Sequence, residues 1–95
     1  MRIGIVSNFV IPGLEDGNEI NLDYPTVTLR GLLEELSLRS RGRVKFIRPS
    51  ADVVDPMDFV IKINGLPNQG SREDLNLALK GGDIITIYVL PLGGG

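Results

Sequence analysis

Gly93-Gly94-Gly95 follow the apolar run Ile84-Ile85-Thr86-Ile87-Tyr88-Val89-Leu90 after only Pro91 and Leu92. Proline has no N–H to give a sheet, so Leu90-Pro91-Leu92 should release the chain from a last strand. Glycines without a Cβ then form a peptide thin enough for a channel that a branched residue would block. The chemistry this pattern predicts is that of a terminal carboxylate, on Gly95, delivered to an active site in another protein. Glycines at a chain end also fray. The proline-containing stem joining these to a strand sets the tail apart.

The other candidate groups carry less. Glu34-Glu35 and Glu73-Asp74 are adjacent carboxylates that point in different directions on a helix and read as solvated faces. Asp52, Asp55 and Asp58 offer oxygen donors, but without the central Gly and closing Glu of a calcium loop, so no metal is assigned. Gly81-Gly82 is no phosphate loop, because no Lys-Ser/Thr follows and a strand comes next. The chain has no Cys and no His. That removes disulfides, thiolate–imidazole zinc sites, Cys-ligated iron–sulfur clusters and the usual nucleophile–base pairs.

Ninety-five residues with 42% hydrophobic and 23% charged content make one ordinary globular domain. At this size folding buries roughly two-thirds of the surface of the unfolded chain. The net charge is −2, Lys and Arg read as scattered among carboxylates, and two Tyr and three Phe are the whole aromatic supply. With no basic stripe and little to stack on, nucleic acid is not expected as a partner. No apolar run approaches the ~20 residues of a membrane helix, and Met1-Arg2-Ile3-Gly4-Ile5-Val6 meets polar residues too soon for a signal peptide. The expectation is a cytoplasmic protein without membrane contact.

The elements that must position the tail follow from periodicity. Residues 2–10 and 19–24 read as a strand pair around a turn-rich loop, with Ile20, Leu22 and Tyr24 on one face. Leu29, Leu32, Leu33 and Leu36 recur at helical spacing, with Thr28 as N-cap, Thr26 as the competing cap and Val27 stapling onto Leu32. This helix should end at Ser40-Arg41-Gly42, where Arg39 and Arg41 meet the negative end of its dipole and Gly42 turns left-handed. Residues 43–48 read as a short strand that opens an irregular excursion. Residues 58–63 form a strand, Asn64-Gly65 a tight turn into a short return strand, and Ser71 caps a helical turn. Gly81-Gly82-Asp83 leads into the last strand.

This order predicts an α+β two-layer domain, with one long helix on one face of a small mixed sheet. The first and last strands should lie side by side, parallel, at its centre. Alternation turns Phe59, Ile61, Ile63, Ile85, Ile87 and Val89 toward the helix, and Val60, Lys62, Thr86 and Tyr88 away from it. Val6, Thr86 and Tyr88, with Leu90 and Pro91, then form a partly apolar docking face beside the tail.

Several of these residues together resemble one family. The Gly94-Gly95 end, the Leu79-Lys80-Gly81-Gly82-Asp83 turn, the Asn64-Gly65 turn and the helix start Thr28-Leu29-Arg30-Gly31-Leu32-Leu33 look like the ubiquitin-like sulfur carriers. That family includes the small subunit of molybdopterin synthase and the sulfur carrier of thiamine thiazole synthesis. The resemblance implies a β-grasp domain over residues 1–91 and a flexible glycine tail over 92–95. It implies a carrier and not an enzyme, with no bound cofactor, whose Gly95 carboxylate is adenylated with ATP by a ubiquitin-activating-type enzyme and converted to a thiocarboxylate. The sulfur would pass to a precursor pterin in the large subunit of molybdopterin synthase, or to thiazole synthase. The excursion at 43–58 favours the pterin branch. Leu90-Pro91 stands where that branch usually has two prolines, and Gly93 where it usually has a side chain. A ubiquitin-like modifier and a plain interaction module are the remaining alternatives.

Overall fold

The computed structural model describes residues 1–14, 19–55 and 57–89. Strands β1 (Arg2–Ser7) and β2 (Glu19–Asn21) pair antiparallel, with Ile3 opposite Ile20. Strand β3 (Val27–Thr28) leads into helix α1 (Leu29–Arg39). After the excursion come β4 (Val60–Ile63), β5 (Leu66–Asn68), the short helix α2 (Arg72–Leu75), β6 (Ala78–Leu79) and β7 (Ile84–Tyr88). The main sheet has the order β2-β1-β7-β4-β5, and β3 pairs with β6 beside it. As expected, β1 and β7 are parallel, with Ile5 opposite Ile85. The chain is thus a small α+β molecule with a mixed sheet.

The core follows from two periodicities. Leu29, Leu32, Leu33 and Leu36 bring one stripe of α1 to complete burial, and Ile3, Ile5, Ile61, Ile85 and Ile87 bring alternate strand positions against it. Burying each such side chain contributes about 1.5–3 kcal/mol. Thr28 starts the helix as predicted: its extended backbone leaves Oγ1 to accept the N–H of Gly31 at 3.1 Å. At the other end Gly42 N–H donates to the Ser37 carbonyl at 3.1 Å and Arg41 N–H to that of Leu38 at 2.9 Å, a Schellman closure. Its left-handed position is filled by Arg41, at φ 58°, before Gly42 follows at 76°. The expectation had placed that turn on Gly42 alone.

Further expectations change. The helix has 11 residues, so three turns do what a long helix was expected to do. Tyr24 is 53% exposed while Ile20 and Leu22 are buried, because β2 stops at Asn21 and the alternation stops with it. β1 stops at Ser7, short of Val10. Residues 43–48 form no strand: only an isolated bridge joins Arg48 to Val53. The segment is nevertheless packed, since Phe46 and Val54 enter the core and the Phe46 ring lies 4.9 Å from that of Phe59. The pair β3–β6 was not foreseen, because two residues are too few to show a period.

Candidate functional site

The open face of the sheet assembles from register. Val6 lies opposite Thr86, Thr86 opposite Lys62, and Lys62 opposite Pro67, so four strands contribute one row. Tyr88 lies opposite Val60 in the next row. Val6 is 53% exposed and Thr86, Tyr88, Val60 and Lys62 are half-buried, while the residues between them face the core. The Lys62 ammonium stands 5.8 Å from the centre of the Tyr88 ring, close enough for cation–π attraction. Val6, Thr86 and Tyr88, singled out from alternation, are therefore brought onto one face. Leu90, Pro91, Leu92, Gly93, Gly94 and Gly95 lie outside the described residues.

What holds the end of β7 was not foreseen. Beyond Ser7 and Tyr88 the ladder is continued by a side chain: Asn8 Nδ2 donates to the Val89 carbonyl at 2.9 Å, and the Val89 N–H donates to Asn8 Oδ1 at 3.0 Å. A primary amide presents one donor and one acceptor in a plane, the same pair that a backbone peptide offers. The only signal in the sequence was a polar amide just past a strand end.

The turn into β7 is similarly self-satisfied. The carboxylate of Asp83, buried at 7% exposure, accepts the Lys80 N–H at 2.9 Å and the Asn64 side-chain amide at 3.1 Å. Asn64 Oδ1 in turn accepts the Ile84 N–H at 2.8 Å. The Asn64-Gly65 and Gly82-Asp83 turns are thus clasped to one another at the end of the sheet away from Val89.

The aspartates at 52, 55 and 58 are engaged as counter-ions. Arg48 reaches Asp55 at 2.9 Å and Asp58 at 3.2 Å, and Arg30 holds Asp52. The Asp58 hydrogen bond, then the charges of Asp55 and Asp58, raise the Arg48 pKa above its already high ordinary value. A raised pKa on a cation gives stability that is lost only as pH climbs through that folded value. Among the described residues no group of three or more side chains is placed to hold a metal, and no helix is long and apolar enough to cross a membrane.

The cations are less scattered than the composition implied. Arg39, Arg41, Arg43, Lys45 and Arg48 are half of the ten Lys and Arg residues, and no carboxylate stands between Leu36 and Ala51. The sequence contained this signal, hidden by a net charge of −2.

Scans against protein-family models, curated proteins and solved structures return no match to this chain.

Proposed function

We propose that this chain is a β-grasp sulfur carrier, the small subunit of a molybdopterin synthase, acting through the α-carboxylate of Gly95. The observation that carries the reading is the parallel pair β1–β7: it presents Val6, Thr86 and Tyr88 on one open face and hands over at Val89 to the stretch Leu90–Gly95. A sheet order of β2-β1-β7-β4-β5 with one helix packed on it is compatible with a β-grasp. The packed excursion, with Phe46 and Val54 in the core, supports the pterin branch over the more compact thiazole carriers.

The chemistry needs little from the chain itself. A carboxylate is a poor electrophile, so the partner enzyme joins the Gly95 oxygen to the α-phosphorus of ATP and releases pyrophosphate. A persulfide of the sulfur donor then displaces AMP, and a thiol reductant frees the thiocarboxylate. The carrier supplies a docking face and a narrow peptide. Tyr88 and Val6 offer apolar contact area there, and Lys62 adds charge.

Intact-mass measurement tests this. The chain is incubated with its adenylating enzyme, ATP and a sulfur donor, and a gain equal to one sulfur-for-oxygen exchange, localised to Gly95, is expected. The loaded chain should then convert a precursor pterin together with a molybdopterin synthase large subunit. An unchanged mass beside an enzyme that loads another carrier would overturn the proposal, as would conjugates joined through lysine. Sulfur delivery to thiazole synthase alone would move it to the thiamine branch.

A further inference from the structure

The helix side of the molecule carries a second surface that the carrier reading does not use. Where α1 ends, the excursion folds back past it and leaves a cavity of ≈ 510 Å³ lined by Arg30, Leu38, Arg41, Lys45, Ile47 and Pro49, among others. Leu38 is 73% exposed, an apolar side chain on the wet face of a helix. A smaller hollow of ≈ 310 Å³ adjoins it across Arg41 and takes in Pro12, Gly13 and Arg43.

The cations around these hollows fall into two groups. Arg30 is held by Asp52 and Glu34, Arg39 by Glu35, and Arg48 by Asp55 and Asp58. Arg41, Arg43 and Lys45 take part in no ion pair among the described residues. The helix dipole is already met by Arg39 in the last turn. Arg41 moreover occupies a left-handed position that glycine would fill without strain. Arg41 and Lys45 thus line the larger hollow and Arg43 the adjoining one without an ion-pair partner among the described residues, while the carboxylates at the larger hollow, Glu34 and Asp52, are both engaged by Arg30.

We propose that this shoulder is a docking site for an acidic protein segment that places one aliphatic side chain against Leu38 and Ile47 and flanking carboxylates on Arg41, Arg43 and Lys45. The apolar lining selects a side chain over a phosphate backbone. Phe46, the aromatic of this segment, is buried and unavailable for base stacking. A single exposed leucine is too little apolar surface to seat a helix in lipid. The site is independent of the Gly95 chemistry.

The test titrates the full chain, followed by amide NMR, with a capped pentapeptide probe of one leucine between pairs of aspartates. Shifts confined to Leu38, Arg41, Arg43, Lys45 and Ile47 are expected, weakening at high salt as screening demands. Leu38→Ser should weaken the probe about tenfold or more, since most of a leucine contact is lost. Replacing the probe's leucine with serine should do the same on the unaltered chain, so the test stands even if the variant misfolds. No shifts at millimolar probe, equal binding of the serine probe, or shifts on the sheet face would overturn the proposal. Tighter binding of an oligothymidylate or of anionic vesicles at the same residues would overturn it too.

Discussion

The side-chain amide of Asn8 closes two hydrogen bonds on the backbone of Val89, 81 positions away in the chain. It stands in for the next rung of the β1–β7 ladder and fixes the last described residue before Leu90. Asn8→Ala removes both bonds at an exposed site, at a cost of about 1 kcal/mol. Hydrogen exchange should find the Val89 amide opening faster, with the Ile85 and Ile87 amides unchanged. Undiminished protection at Val89 would mean that the strand end holds without the clamp.

Tyr88 tests the sheet face. Tyr88→Asp keeps the half-buried position within reach of Lys62, so thermal stability should fall by no more than about 1 kcal/mol. Affinity for the adenylating enzyme should fall about 30-fold, the effect of losing an aromatic hot spot. Calorimetry with the purified pair decides it, and retained affinity would remove the face from the docking surface.

Arg41 is strained where it stands. Arg41→Gly relieves the positive φ and should raise stability by about 0.5–1 kcal/mol, read as a higher urea midpoint at unchanged slope. The same variant should bind the acidic probe less well. A residue that costs stability and improves binding is what a functional position looks like.

Gly70 is the hinge pin of the excursion. Its carbonyl accepts the Val54 N–H at 3.0 Å, its φ is 69°, and an added Cβ would lie 2.5 Å from Val54 Cβ. Gly70→Ala combines a left-handed penalty with a clash against a buried side chain and should cost about 2–4 kcal/mol. Chemical denaturation measures this. A loss below 1 kcal/mol would show that the excursion is free to shift away from the core.

Local rules reach as far as local causes do. The leucine stripe of α1, the Thr28 cap and the Asn64-Gly65 turn were legible because each depends on residues within one turn of chain. Alternation in β1 and β7 was enough to put Val6, Thr86 and Tyr88 on the outward side of their strands, since a period of two admits no other assignment once the inward set is apolar. The glycine-rich stretch at 93–95 and the absence of Cys and His are properties of the sequence alone. Other features needed the chain to close on itself. The β3–β6 pair, the amide of Asn8 on Val89 and the Arg30–Asp52 pair join residues far apart in sequence, and which cations stay without an ion-pair partner among the described residues, Arg41, Arg43 and Lys45 with them, depends on where the chain brings the carboxylates. Periodicity says which way a side chain points; only tertiary structure says what stands opposite, and so which charges are cancelled and which are left to act.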